Sequence, residues 1–118
     1  TIRRHPDVAW TKRSSDIATL AQTQAKLLSR ASKLLKPGGR LIYCVCSLEP
    51  EEGVAQIEAL LRRDPDLRRA PIQPGELGLP PEAITAAGDL RTLPSHMQGE
   101  TPRLSGLDGF YAARLTRV

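Results

Sequence analysis

The order of long helix, glycine-rich turn, apolar strand and second helix within residues 14–63 predicts an α/β fold, one half of a doubly wound architecture. Three observations carry this. Apolar residues recur at three-and-four spacing from Ser14 to Leu35. The triplet Pro37-Gly38-Gly39 cuts that pattern off. The run Leu41-Ile42-Tyr43-Cys44-Val45-Cys46 then follows at once, rich in strand formers.

Each element has its own signals. The helix over 14–35 presents Ile17, Leu20, Ala21, Leu27, Leu28, Ala31, Leu34 and Leu35 on one face, with Gln24 the only polar residue among them. Ser14 or Ser15 can cap its start, with Asp16 in the first turn and Lys33 and Lys36 suited to the last. The strand over 40–46 lacks polar alternation, so it reads as buried on both faces, as in a parallel sheet. Glu49-Pro50-Glu51-Glu52 opens a second helix over 50–63, with proline early and acids at the positive end of the dipole. Val54, Ile57, Leu60 and Leu61 form its stripe, and Asp64-Pro65 ends it.

Residues 64–107 are irregular, with prolines at 65, 71, 74, 80, 81, 94 and 102 breaking every long pattern. A short helix over 81–87 and a short strand over 89–93 are expected there, then a mobile loop over 94–107 without periodicity. Gly109-Phe110-Tyr111-Ala112-Ala113-Arg114-Leu115 reads as a closing strand, extending to 116. The domain therefore divides into 1–63, 64–107 and 108–118. Three strands and two helices make a thin domain with a raw sheet edge. Together with a first residue that is Thr1 rather than Met, this predicts a piece of something larger.

Composition narrows the function classes. The 118 residues are 40% hydrophobic and 25% charged, which is globular in character. Trp10, Tyr43, Phe110 and Tyr111 are the whole aromatic set, too few for a stacking platform on nucleic acid. A net charge of +4 permits a polyanionic partner without demanding one. The longest apolar run is far below the roughly 20 residues of a membrane span, and no signal-peptide pattern opens the chain. Cys44 and Cys46 lie on the same face of a strand, about 6.5–7 Å apart by strand rise, which disfavours a disulfide and points to a reduced, cytoplasmic setting. A thiol redox role fails for the same reason, since the two are not spaced as Cys-x-x-Cys.

Several groups could carry chemistry. Cys46 sits at the carboxyl end of the best strand, where open α/β sheets gather reactive groups, and before a helix N-terminus that favours a thiolate. The plainer reading is a small buried hydrophobe, and it applies more strongly to Cys44, deeper in the strand. His5 and His96 with the two cysteines match no common zinc spacing, so no metal is expected; both histidines read as surface residues. Lys36-Pro37-Gly38-Gly39 precedes a strand, whereas phosphate loops follow one, so it is a helix stop. Basic pairs occur at Arg3-Arg4, Lys12-Arg13, Arg62-Arg63 and Arg68-Arg69. Most suit solvated surface, but Pro6 and Trp10 would give Arg3-Arg4 a defined shape for phosphate contacts.

The segments Thr1-Ile2-Arg3-Arg4-His5-Pro6-Asp7 and Pro37-Gly38-Gly39-Arg40-Leu41-Ile42-Tyr43-Cys44-Val45-Cys46-Ser47-Leu48-Glu49-Pro50-Glu51-Glu52, with Asp108-Gly109-Phe110-Tyr111-Ala112-Ala113-Arg114-Leu115 at the end, resemble the Sun-type RNA cytosine-C5 methyltransferases. The likeness lies close to the bacterial enzymes that act on small-subunit ribosomal RNA. It covers 1–63 and 106–117, and its most specific part is the strand followed by Cys-Ser-x-x-Pro-Glu-Glu.

The resemblance implies the C-terminal part of a Rossmann-like catalytic domain, whose last strand runs antiparallel and inserts between the other two. It implies that Cys46 attacks carbon 6 of a flipped-out cytosine, that carbon 5 takes a methyl group from S-adenosylmethionine, and that loss of the carbon-5 proton expels the thiolate. Arg3, Arg4, Lys12 and Arg13 would meet RNA, ribosomal RNA by this likeness. The family's usual threonine before the nucleophile is Val45 here, a near-isosteric change. Its second cysteine, in a Pro-Cys pair, and its glycine-rich cofactor motif have no counterpart in these residues, so no cofactor-binding residue is expected and the isolated chain should not methylate. The alternative is a non-catalytic RNA-binding or interaction module of the same fold. An upstream Pro-Cys pair and glycine-rich turn would separate the two. An unpaired edge at 40–46 predicts self-association or disorder there.

Overall fold

The computed structural model describes Trp10, residues 13–96 and residues 108–118. Helix α1 spans Ser14–Lys33 and starts from Arg13, whose backbone N–H donates to Asp16 Oδ2 at 2.8 Å. Asp16, rather than Ser14 or Ser15, thus satisfies the first free donor. Ile17, Ala21, Gln24, Leu28, Ala31 and Leu35 turn inward, but Leu20, Leu27 and Leu34 form a seven-residue-spaced line that stays exposed, Leu34 at 85%. The apolar face is wider than the surface it covers.

Strand β1 (Arg40–Val45) follows the turn, which Gly38 N ties to Arg117 O at 2.8 Å. The expected second helix is split. Pro50–Glu52 form one 3₁₀ turn, Gly53 breaks the path, and α2 runs Val54–Arg63. Within the irregular region a strand was not foreseen: β2, Leu67–Arg69. The helix expected over 81–87 is a single 3₁₀ turn, Pro81–Ala83. Strand β3 covers Leu90–Thr92 and the closing strand β4 covers Phe110–Arg117.

Strand β4 is the axis of the sheet. Along one edge it pairs with all of β1, from Arg40↔Thr116 to Val45↔Tyr111. Along the other it takes β2 and then β3 end to end, Leu67↔Arg117 through Arg69↔Leu115 and Leu90↔Ala112 through Thr92↔Phe110. Between them Ala70 N donates to Arg114 O at 2.8 Å. The insertion of the closing strand between its neighbours is therefore present, and every pairing is antiparallel.

The strand buried on both faces is β4, not β1. Tyr111, Ala113 and Leu115 face a core with Leu28, Ile57, Leu60 and Leu67, while Ala112 faces a second cluster with Ile72, Ala83 and Leu90. In β1, Leu41, Tyr43 and Val45 pack on the first core, but Arg40, Ile42 and Cys44 are exposed. The reason is structural: among the described residues β1 has β4 on one edge and no element over its outer face. The second cluster needs a tight turn at Gly88, whose φ of +88° and contact with Pro71, 2.4 Å from a hypothetical Cβ, admit only glycine. No helix among the described residues is long and apolar enough to cross a membrane.

Candidate active site

Cys46 directly follows the end of β1 and is exposed to solvent, as is Cys44 within the strand; neither forms a disulfide. The buried-hydrophobe reading of either does not fit. The helix behind Cys46 begins only at Val54, so the 3₁₀ turn, not an α-helix N-terminus, is the first helical element after it.

The residue after Cys46 is held from several directions. Ser47 Oγ donates to Glu52 Oε2 at 2.7 Å and accepts from the Glu49 backbone N–H at 3.1 Å. Its carbonyl accepts from Arg91 Nη1 at 2.6 Å, a bond that reaches from β3. Glu52 is itself 3% exposed. Its other carboxylate oxygen accepts from Gln24 Nε2 of α1 at 3.1 Å, and its backbone carbonyl accepts from Tyr43 OH of β1 at 2.6 Å. Burial, then the nearby Glu52 charge and Cys44, push the Tyr43 hydroxyl up to about 12, so it stays a donor through neutral pH. Gln56 of α2 completes the frame, donating to Ala21 O at 2.8 Å and Glu51 O at 3.1 Å.

Arg91 is fixed in turn. Its guanidinium lies 5.1 Å from the centroid of the Tyr111 ring, a cation–π distance. Burial, opposed by Tyr111, lowers its pKa from the ordinary arginine value without neutralising it. Tyr111 OH donates to Asp89 Oδ2 at 2.5 Å, and Arg69 forms a fork to the same carboxylate at 3.2 and 3.1 Å. Burial first, then the Asp89 bond and charge, raise the Tyr111 hydroxyl well above the usual tyrosine range. Gly53 lets this assembly close: a Cβ there would stand 3.2 Å from the Tyr111 ring and 3.3 Å from Arg91 Nη2.

Sequence reasoning singled out Cys46 and missed the side chains that hold the turn after it. Glu52 read as a helix-dipole acid, and Arg91 and Asp89 read as ordinary strand residues. One signal was available: Gln24, alone among apolar residues on its helix face, is the side chain that meets Glu52. Arg13 is exposed at the start of α1, whereas Arg3, Arg4, Lys12 and His5 lie outside the described residues. His96 is not a surface residue; it is buried, and its Nδ1 accepts from Leu93 N at 3.1 Å. Among the described residues no three His, Cys, Asp or Glu side chains group as metal ligands.

Those residues also offer no cradle for S-adenosylmethionine. The connection from β1 to the first helical turn, Cys46 to Glu49, has no glycine, and the positive-φ glycines 38, 75, 78 and 88 all lie outside it.

Comparison with known proteins gives a consistent result. The family model described as 16S rRNA methyltransferase RsmB/F matches residues 1–116. The ribosomal RNA small subunit methyltransferase B of Salmonella arizonae is 51% identical over 83 residues, 67% of this chain and 19% of that protein. The crystal structure of PH0851 superposes with a TM-score of 0.76 at 31% identity, covering 99% of this chain and 24% of that one. A methyltransferase homolog from Pyrococcus horikoshii follows at 0.66 and 27%, covering 91% and 34%. The chain thus spans about a fifth of the curated relatives' length, and its sheet is part of the Rossmann-like fold of Sun-type methyltransferases. With a family match across nearly its whole length, this chain belongs to the RsmB/F 16S rRNA methyltransferase family.

Proposed function

We propose that this chain is the nucleophile-bearing part of an RNA cytosine-C5 methyltransferase that acts on ribosomal RNA, with Cys46 forming the covalent bond to the base. The observation that carries the reading is an exposed thiol at the carboxyl end of β1, on a turn whose next residue is fixed by Glu52, Glu49 and Arg91. The family match supplies the substrate class.

The chemistry asked of Cys46 is addition. Its thiolate forms a bond to carbon 6 of cytosine as the 5,6 double bond breaks, and the electron pair moves towards carbon 5 and into the ring. Once carbon 5 has been alkylated and has lost its proton, the double bond re-forms and the carbon–sulfur bond breaks, returning the thiolate. A soft, polarisable nucleophile suits attack on an electron-poor ring carbon. The base must first leave its stack to reach an exposed strand end. S-adenosylmethionine supplies the methyl group, and residues outside those described hold it. For that reason the isolated chain is expected not to transfer methyl groups. Arg3, Arg4, Lys12 and Arg13 contribute contacts to RNA phosphates, which position the strand without reading its sequence.

Intact mass spectrometry tests this on the upstream-extended protein mixed with S-adenosylmethionine and a short RNA containing 5-azacytidine, which has no carbon-5 proton to lose. The expected result is a covalent adduct that disappears in Cys46→Ala and is absent from the 118-residue chain alone. An adduct that survives Cys46→Ala moves the nucleophile elsewhere. No adduct from folded, RNA-bound protein makes the chain a binding module.

A further inference from the structure

We propose that Glu52 is a positioning residue for the Cys46 thiol, acting through Ser47, with Arg91 as the opposing support; this rests on the reading of Cys46 as nucleophile. The end of an edge strand normally frays, and an exposed thiol on a fraying end samples many directions. Here the hydroxyl and the carbonyl of the following residue are both held. The Ser47 hydroxyl hydrogen goes to Glu52 Oε2, its lone pair takes the Glu49 N–H, and its carbonyl takes Arg91 Nη1. Ser47 therefore serves as a strut. Supports from the 3₁₀ turn, the Glu49 backbone and β3 converge on the residue next to Cys46, and Gln24 of α1 holds Glu52 in turn.

The chemistry of Glu52 suits this role in a way that packing alone would not need. Its two oxygens face two donors, the Ser47 hydroxyl and the Gln24 amide, and only a carboxylate accepts at both positions. The arrangement also fixes Gln24: with its nitrogen turned to Glu52, its amide oxygen is buried without a partner among the described residues. Flipping the amide would set oxygen against the carboxylate. Gln24 thus keeps its bond to Glu52 at the cost of an unsatisfied oxygen. Covalent attack on a ring carbon is sensitive to geometry, because reacting atoms must meet at near-contact distance along one direction.

Glu52→Gln keeps the shape and removes one acceptor. In the upstream-extended protein, with RNA containing 5-azacytidine, it is expected to lower the adduct-forming rate at saturating RNA at least tenfold. The RNA concentration for half-maximal rate should not change. Ser47→Ala should do the same and Ser47→Thr, which restores the hydroxyl, should recover the rate. In the 118-residue chain with Cys44→Ser, alkylation of Cys46 by iodoacetamide should stay within twofold, since a small reagent needs no fixed approach. An unchanged adduct rate in Glu52→Gln overturns the proposal, as does a loss that appears only as weaker RNA binding. If Glu52→Gln fails to fold, the Ser47→Ala and Ser47→Thr pair decides. If the unsubstituted protein gives no adduct, the functional reading fails instead. Amide exchange of Glu49 in the upstream-extended protein then decides the role of Glu52: at least tenfold faster exchange in Glu52→Gln supports the strut, and an unchanged rate overturns it.

Discussion

Tyr43 shows how a single side chain links the core to the turn that follows Cys46. Its ring packs on the first core while its hydroxyl donates to Glu52 O. Burial places its pKa at about 12, above the roughly 10 expected in an unfolded chain. A raised folded value means that the neutral form is stabilised. The contribution is complete below about pH 10 and disappears as pH rises through 12. Tyr43→Phe should therefore cost about 1 kcal/mol at neutral pH, and its urea midpoint should converge on that of the unsubstituted chain between pH 10 and 12. A gap that stays constant across that window would show that the hydroxyl is not the group involved. At this scale the sequence was legible only in part. Cys46 was readable because its position after an apolar run and before Ser47 is a local feature. Glu52, Asp89 and Arg91 were not, because their partners lie in other elements: Asp89 with Arg69 and Tyr111, Arg91 with Ser47. Nothing local distinguishes such residues from surface charges.

The elements repeat that division between local and distant information. Helix α1 and strand β1 were legible to within two residues, since periodicity and the Pro37-Gly38-Gly39 stop are local signals. What could not be read was the central place of β4, because Ala112 and Ala113 say little until Leu28 and Ile57 on one side and Ile72 and Leu90 on the other are seen to press on them. Strand β2 has three residues and no pattern at all; its pairing with Leu115 to Arg117 creates it. The end of β4 is fixed by Arg117, whose Nη2 donates to Ser32 O at 2.6 Å and Asp64 Oδ2 at 2.8 Å, joining the C-terminal ends of α1 and α2. The Arg117 bond, partly opposed by desolvation, holds the Asp64 carboxyl below the usual aspartate range. A depressed folded value stabilises the ionised form, so the contribution is complete above the ordinary aspartate pKa of about 4 and is lost as pH falls through the folded value. Asp64→Asn should unfold at lower urea than the unsubstituted chain at pH 6, and the difference should shrink as the pH falls below the ordinary aspartate pKa of about 4. Parallel acid curves would remove this pair from the account of how the three elements are joined.

The whole molecule presents a surface its own elements do not cover. Ile42 is 58% exposed on the outer face of β1, and Leu20, Leu27 and Leu34 are exposed along α1. Among the described residues the only partner of β1 is β4, which leaves the other edge of β1 with free backbone donors and acceptors. An apolar strand edge of this kind is a template for pairing with another chain, and apolar surface beside it adds a driving force of roughly 25 cal/mol per Å² removed from water. The chain alone should therefore associate or lose order at β1, and sedimentation velocity distinguishes the cases. A weight-average sedimentation coefficient that rises with concentration, and falls back in Ile42→Lys, is the outcome expected for pairing through this edge. A charge there is costly to bury against a second strand yet costs little in the isolated chain, because residue 42 already faces solvent. Loss of order instead gives a monomer whose Arg40–Val45 amides exchange rapidly. A sharp monomeric boundary at every concentration, together with full protection of those amides, would mean that β1 is satisfied as it stands. The same edge lies directly beside Cys46, so whatever covers it also borders the space around the thiol.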